Sequence, residues 1–328
     1  MTVPPSSESV ERPHLDGEGE VSAERLPLIT RPGAYDGISN EDYHGTEICP
    51  APSISSSGLK LINARSPAHY WWQSPMNPAR PDRKQKAHFN LGAALHDVLL
   101  LGDGRFEKHY YVLPEGFDPR ATRVWADYIE ARDYAIRKGR MVLTKAQFDT
   151  MQAMAEAVSK HELAGALLTA GTPEMTLAAI DPETGCWLRA RPDNLPFNME
   201  IIPDIKTAAD ASLDVYERAA TRFGYFMSAA HYLDVIDLIY GEAKRSFVLI
   251  TIEKDPPYCV ALYELPGEDI ERGRALNRFA IDAYAKCIES GKWPGYADTP
   301  TQVWLPYWAR KLIDEGNAPE GVACAQSA

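Results

Sequence analysis

The chain has 328 residues, of which 45% are apolar and 24% charged, values that fit a folded globular protein and exclude a low-complexity or fibrous one. Five dispersed cysteines without a CxxC pair argue against a structural zinc site, an iron–sulfur cluster and a disulfide framework. The net charge of −12 argues against broad non-specific DNA binding over the outer surface and favours a local groove or channel as a nucleic-acid site.

The two ends of the chain differ from its middle. Residues 1–30 are acidic and rich in Pro and Ser, and we expect a disordered tail without a signal peptide. Residues 316–328 are expected to form a flexible C-terminus. One folded domain should occupy residues 31–315, with no apolar run approaching the roughly 20 residues of a membrane span. The expected location is the cytoplasm.

The first half of this domain reads as helical. Ser53–Tyr70 begins with serines suited to an N-cap and predicts a short amphipathic helix interrupted by Pro67. A basic stretch over 60–86 follows, and HFNLGAALHDVLLLG predicts a buried helix. Residues 119–170 predict two more helices, separated by Gly139 and a Thr144 cap.

The second half alternates strands and helices. Three short apolar segments predict consecutive strands at 175–180, 186–195 and 199–208. A long helix is expected over 213–240, stopped by Gly241. Two further strands across a DPP turn and a last helix over 268–290 complete the pattern. The predicted fold class is α/β, with a central mixed β-sheet flanked by helices.

The segment IIPDIKTA carries the most informative polar residues. Asp204 and Lys206 are two positions apart, so on a strand they share one face while Ile205 points into the core. A hairpin between neighbouring strands could bring Asp193 beside Asp204. Two carboxylates suit a hard cation such as Mg²⁺ or Mn²⁺, and the added ammonium suits phosphodiester hydrolysis. The alternative reading of these residues is a surface salt bridge.

Two more polar residues become candidates in this context. His96 stands on an otherwise apolar helix and is either a core histidine or a metal ligand. Glu174 begins the first strand and is either exposed or close to the same site. The functional interpretation of both residues is strengthened because the later strands supply the other candidate metal ligands.

Four segments in this order, ISSSGLKLINARSPAHY, LGAALHDVLL, PEMTLAAIDPETGCWLRARPD and PDIKTA, carry a family resemblance. They resemble the exodeoxyribonuclease VIII-like (RecE-type) nucleases of phages and prophages, within the PD-(D/E)xK superfamily. The resemblance covers about residues 33–265 and implies the restriction-endonuclease-like core of that superfamily. The implied host compartment is the bacterial cytoplasm.

The resemblance implies a role for each candidate. His96, Asp193, Asp204 and the main-chain carbonyl of Ile205 would bind Mg²⁺, with Mn²⁺ as a substitute, and Lys206 would be the catalytic lysine. Glu174 matches an acidic residue near the active site. The implied activity is digestion of linear double-stranded DNA from the 5′ strand, leaving 3′ tails for a single-strand annealing recombinase. Relatives form rings, so the resemblance also implies a homo-oligomer.

The chain departs from the family pattern at one point. Related nucleases carry Gln-x3-Tyr on the helix after the DxK strand, whereas here Ser228 and Tyr232 occupy those positions. The tyrosine is retained and the glutamine is replaced by a much shorter side chain. How this helix meets the metal site or DNA is therefore open.

The serines before the first helix form a candidate DNA site. Free N–H groups and hydroxyls at Ser55 and Ser57 favour an anion, and the family holds a 5′ phosphate near this element. Lys60, Arg65 and Tyr232 are the other candidates for DNA or 5′-phosphate binding. Ordinary N-capping is the alternative for the serines.

Other functions are compatible with the same fold. A nuclease for single strands or an endonuclease is one alternative. A DNA-end-binding protein that has lost catalysis is another, although the complete set of His96, Asp193, Asp204 and Lys206 argues against it. A metal-dependent hydrolase of other esters is the last.

Overall fold

The computed structural model describes residues 8–9, 28–81, 91–101, 103–113 and 125–315. The predicted C-terminal segment 316–328 and nearly all of the predicted acidic tail lie outside these residues, as does part of the basic stretch. The chain divides into two compact units, 1–293 and 294–328. Within the described part of the chain, every helix is too short or too polar to cross a bilayer.

The described part of the chain contains both strands and helices, with five consecutive strands from Gly171 to Ala208. The strands are β1 (Glu8–Ser9), β2 (Gly33–Asp36), β3 (Ser53–Ser55), β4 (Tyr110–Val112), β5 (Met141–Leu143), β6 (Gly171–Pro173), β7 (Thr176–Ile180), β8 (Trp187–Ala190), β9 (Asn194–Pro196), β10 (Ile201–Ala208), β11 (Ser246–Glu253) and β12 (Val260–Glu264). The α-helices are α1 (Asn40–Tyr43), α2 (Ser56–Ala64), α3 (Pro67–Gln73), α4 (Leu91–His96), α5 (Asp103–His109), α6 (Trp125–Arg137), α7 (Lys145–Lys160), α8 (Glu162–Thr169), α9 (Leu213–Phe223), α10 (Tyr225–Tyr240), α11 (Gly267–Ser290) and α12 (Tyr307–Asp314). A π-helical segment, Asp97–Leu101, follows α4 directly.

The strands form mixed sheets. One sheet has the order β1-β2-β7-β8-β3, and a second has the order β10-β11-β12. In the second sheet β10 and β11 are parallel, while β11 and β12 are antiparallel. The parallel pair requires a crossover, which α9 and α10 supply. The remaining pairs are β4 with β5 and β6 with β9.

Strand β11 shows why helices cover both faces of the second sheet. Phe247 and Leu249 belong to one hydrophobic core, which also contains residues of α2, α10 and α11. Val248 and Ile250 belong to a second core, with residues of α4, α7 and α8. Successive side chains on a strand point to opposite faces of the sheet, so the apolar residues of β11 are buried on both faces. The predicted α/β class, with a mixed sheet flanked by helices, is confirmed.

Helices α10 and α11 approach each other closely at Gly273. A Cβ atom at this position would lie 2.4 Å from the carbonyl oxygen of Phe226, a distance no side chain can occupy. Glycine is therefore required where the two helices cross. This crossing fixes the helix that carries Ser228 and Tyr232.

Several local predictions are confirmed. Thr144 caps α7 in a reciprocal capping box with Gln147, and Gly241 ends α10. Pro67, predicted to interrupt a helix, also begins the next one, because proline suits the first helical turn. The strands before and after the DPP turn form the antiparallel pair β11 and β12.

Other predictions need correction. The single helix over 213–240 is two helices, because Gly224 adopts a left-handed conformation with φ of 61°. Residues 125–169 form three helices and the strand β5 rather than two helices. The hairpin that was to align Asp193 with Asp204 is absent from the described strands, because β9 pairs with β6 instead of β10.

Candidate active site

The site is built on β10. Asp204 and Lys206 project from the same face of this strand, and their side chains form an ion pair. Ile205, between them, turns into the second hydrophobic core and is 1% exposed. The predicted division of these residues between the two faces of the strand is therefore confirmed.

Asp193 reaches the site without strand pairing. It lies in the turn between β8 and β9, and its carboxylate accepts a hydrogen bond from the backbone N–H of Ile205. A backbone donor at this point fixes the carboxylate next to the residue that separates Asp204 from Lys206. The sequence thus placed Asp193 beside Asp204 correctly, although by the wrong connection.

His96 completes the cluster from a distant part of the chain. Its Nδ1 lies 3.5 Å from Oδ1 of Asp193, and its Nε2 lies 3.2 Å from the carbonyl oxygen of Ile205. The imidazole therefore contacts both groups that the later strands contribute. It is the last residue of α4, directly before the π-helical turn, and such turns are frequent at functional sites.

Burial and charge act in opposite directions on the ionisable groups. Burial raises the pKa of Asp193, His96 opposes this shift, and the negative charge of Asp204 reinforces it. Burial alone would lower the pKa of Lys206, but the carboxylates of Asp204 and Asp193 outweigh it and raise the pKa. Lys206 therefore keeps its positive charge between two acids that repel each other.

The donor set fits a hard divalent cation. Two carboxylates, a main-chain carbonyl and one imidazole are ligands that Mg²⁺ or Mn²⁺ accepts. Among the described residues, no three His, Cys, Asp or Glu side chains gather closely enough to hold a metal unaided. A cation held by His96, Asp193 and Asp204 would therefore need a further donor, and the carbonyl oxygen of Ile205, 3.2 Å from Nε2 of His96, is the candidate.

Glu174 lies beside the cluster in an unusual backbone conformation. Its φ is 48°, rare for a residue with a side chain, and its N–H donates to the carbonyl oxygen of Asp193 at 3.0 Å. The turn before β7 is thereby tied to the turn that carries Asp193. Burial and the carboxylate of Asp97 raise the pKa of Tyr110, and the negative charge of Glu174 adds a smaller contribution.

A cleft of about 260 Å³ opens next to Asp204 and Lys206. Of the predicted DNA-binding residues, Ser55, Ser57, Lys60 and Tyr232 line it. Ser55 occupies the N-cap position of α2 but makes no capping bond; its hydroxyl lies 3.1 Å from that of Ser57. The side chains expected to cap the helix are therefore directed toward the cleft region.

Arg65 is not brought to this cleft. Arg65 follows the last residue of α2, whereas Ser55 precedes the helix and Ser57 lies in its first turn, so the helix separates Arg65 from the serines by about 12–15 Å. Its guanidinium contacts Nε2 of His69 at 3.0 Å.

Two aromatic–cation arrangements near the site were not predicted from the sequence. Arg191 lines the same cleft, donates to Thr176 and to the carbonyl oxygen of Ile38, and stacks on Tyr43 with 4.2 Å to the ring centroid. Lys206 lies 5.4 Å from the ring centroid of Tyr225. The position of Arg191, two residues before Asp193, was the available signal, whereas nothing local marked the tyrosines.

Residues 55–301 match the model of the PDDEXK-like domain of unknown function (DUF3799), which is most of the chain. The chain belongs to this family. Membership confirms the resemblance to the PD-(D/E)xK superfamily, while the narrower link to the exodeoxyribonuclease VIII-like branch stays a prediction. No protein of curated function matches the sequence.

Two solved structures are similar to this PDDEXK-like chain. One is described as a "Putative exonuclease" from Eubacterium rectale, with a TM-score of 0.51 and 11% identity over 79% of this chain and 92% of its own. At that identity the likeness shows the fold alone. The other, SSO0001, has a TM-score of 0.27 and 20% identity over 55% of this chain and 82% of its own. Membership of the PDDEXK-like family supports a nuclease.

Proposed function

We propose that this PDDEXK-like protein is a Mg²⁺-dependent exonuclease that hydrolyses linear double-stranded DNA. The observation that carries the proposal is the convergence of His96, Asp193, the Ile205 carbonyl and the Asp204–Lys206 pair from three separate segments. A structural salt bridge would need only the last two residues. The other members have no role in such a bridge, and their carboxylate, carbonyl and imidazole donors support the proposal of a metal site.

The roles of the residues follow from their positions. A divalent cation bound by these ligands would polarise a phosphoryl oxygen and lower the pKa of a bound water. Lys206, held charged beside Asp204, orients the attacking water and offsets the negative charge that develops on the phosphate. His96 keeps the turn of Asp193 in contact with Ile205.

The proposed substrate enters through the cleft next to Asp204 and Lys206. Lys60, Arg191 and Lys206 supply positive charge there, against the −12 of the whole chain. A confined positive site attracts one strand of DNA without a basic outer surface. We further propose that Ser55 and Ser57 recognise a 5′ phosphate, which sets a 5′-to-3′ direction of digestion.

The wider setting is proposed on the same basis. A 3′ single-stranded tail is a substrate for a single-strand annealing recombinase, so recombination of phage or prophage DNA in the bacterial cytoplasm is the proposed role. A ring-shaped homo-oligomer would retain the enzyme on DNA. Size measurement in solution with and without duplex DNA tests the oligomer separately.

The deciding experiment compares linear with covalently closed circular duplex DNA. Purified protein with Mg²⁺ should degrade only the linear form, and Lys206→Ala or a chelator should abolish the activity. Lys160→Ala, on the exposed surface of α7, is the matched control for loss of a lysine. The same reaction with Mn²⁺ tests the substitute metal.

Each other result selects a different function. Cutting of the circle would identify an endonuclease with the same chemistry. Degradation of single strands alone would identify a single-strand nuclease. Binding of DNA ends without hydrolysis under either metal would identify an end-binding protein and reject the enzyme. Direction is tested by comparing 5′-phosphorylated with unphosphorylated ends, for wild type and Ser57→Ala; an unchanged preference would reject the proposed 5′-phosphate site.

A further inference from the structure

Ser228 is linked to α2 through two hydrogen bonds. The hydroxyl of Ser56 donates to Oγ of Ser228 at 3.1 Å, and the ammonium of Lys60 donates to the same oxygen at 2.8 Å. Ser56 is 6% and Ser228 9% exposed, so the hydroxyl pair is buried while the ammonium reaches the cleft. Two helices far apart in sequence thus fix the position of one cation.

The stem of Lys60 is held as well as its end. At the junction of α9 and α10, a Cβ atom on Gly224 would lie 3.2 Å from Cδ of Lys60. The left-handed glycine therefore leaves the space through which the aliphatic stem passes. Contact along the stem and a hydrogen bond at the nitrogen together restrict a side chain that is otherwise very flexible.

Lys60 has no ion-pair partner among the described residues, and the nearby Asp204 is paired with Lys206. Lys206 lines the same cleft. Burial lowers the pKa of Lys60, the charge of Lys206 lowers it further, and Asp204 opposes them only in part. A half-buried ammonium without a paired anion costs free energy, which an anionic ligand would offset.

The cleft offers that ammonium a ligand next to the catalytic pair. Lys60, Lys206 and Asp204 line the same space of about 260 Å³, with Ser228 and Tyr232 at its wall. A DNA strand whose scissile phosphate faced Lys206 would present other phosphate oxygens within this space. Charge-assisted hydrogen bonds to phosphate are the contacts that position a strand without reading its sequence.

We propose that Ser228 is a positioning residue that holds the Lys60 ammonium against a phosphate oxygen of the bound DNA strand, beside the phosphate that Lys206 serves. The proposal rests on the proposed nuclease function and assigns a role to the serine that replaces the family glutamine. Lys60 touches the substrate, and Ser228 acts through Lys60. Neither residue binds the metal.

The test measures affinity for a linear duplex with phosphorothioate ends, which resist hydrolysis, at several salt concentrations in Mg²⁺. Lys60→Met should weaken binding roughly 10- to 100-fold. It should also lower the slope of log affinity against log salt by about 0.9, the effect of one lost phosphate contact on a duplex. Lys160→Met, which removes an exposed lysine of α7, should change neither quantity.

Ser228 is tested through its dependence on Lys60. Ser228→Ala should weaken binding, Ser228→Thr should restore it by retaining the hydroxyl, and Lys60→Met/Ser228→Ala should bind no worse than Lys60→Met alone. Circular dichroism checks the fold, and Lys60→Gln replaces Lys60→Met if the latter unfolds. A wild-type salt slope in the Lys60 variant, or additive losses in the double variant, would overturn the proposal.

The failure of this proposal is distinguishable from failure of the proposed function. If wild type degrades linear DNA while the Lys60 variants keep the full salt slope, only the phosphate contact is wrong. Wild type could instead bind the duplex without ever hydrolysing DNA, while Lys60→Met lowers the salt slope. The phosphate contact of Lys60 would then be correct and the proposed nuclease activity wrong. Absence of any binding by folded wild type would reject both.

Discussion

His231 should make the stability of the protein depend on pH in a defined window. Its imidazole is 1% exposed and its Nε2 lies 2.9 Å from the carbonyl oxygen of Arg189, to which it donates as the neutral ring. Burial lowers the pKa of His231 to about 4; the hydrogen bond to Arg189 opposes the shift, and the charges of Lys60 and Arg189 add to it. The ordinary value is about 6.5.

The sign and size of the effect follow from these two values. Below pH 6.5 the unfolded chain binds a proton at this histidine, whereas the folded chain does not until about pH 4. The contribution of the neutral ring is complete above 6.5 and is lost as pH falls through this window. The free energy of unfolding should fall by about 2 kcal/mol at pH 5, and by about 3 kcal/mol once the pH reaches the pKa of His231 in the folded protein.

Urea unfolding of wild type and His231→Gln at pH 7.5 and pH 5 measures this loss. Glutamine keeps an N–H for the Arg189 carbonyl but has no proton to gain, so the stability difference between the two proteins should shrink by about 2 kcal/mol at pH 5. His109→Gln, at a side chain that is 54% exposed, controls for removal of a histidine as such. An unchanged difference between wild type and His231→Gln would refute the argument.

Three further substitutions test the site and the fold. Asp204→Asn should reduce hydrolysis of linear DNA by more than roughly 100-fold, because it removes a proposed metal ligand and the partner of Lys206; retention of activity by the folded variant would remove Asp204 from the site. Gly273→Ala should cost about 1–3 kcal/mol in urea unfolding, since its Cβ would meet the Phe226 carbonyl. Gly267→Ala on the same helix has open space and should cost nothing, and equal effects at both positions would contradict the packing argument. Thr144→Ala should cost about 1 kcal/mol through loss of the α7 capping box, and a neutral result would show that the cap does not stabilise the fold.

The parts of the fold that the sequence predicted depend on neighbouring residues. The alternation around Ile205 follows from strand geometry alone, and the Thr144 cap depends on a residue three positions away. The family pattern predicted that His96 and Asp193 belong with Asp204. Local chemistry and pattern thus identified the cluster before its geometry was known.

The parts that the sequence missed depend on distant residues. Whether β9 pairs with β6 or β10 is decided by packing of the whole domain, so the hairpin prediction was wrong. Gly224 could have been tolerated inside a continuous helix, and only its surroundings select the left-handed conformation. The bond from Lys60 to Ser228 joins residues 168 positions apart, and neither residue alone indicates the other.

The assembly of the cluster from distant segments has a consequence for the time at which it forms. His96 meets the Ile205 carbonyl across 109 positions, and β10 pairs in parallel with β11 only after a two-helix crossover. Contacts of such long sequence separation form slowly, after the entropy of closing large loops has been overcome. We therefore expect a newly synthesised or partly folded chain to lack an assembled site, so that any activity of the site begins only when folding is complete.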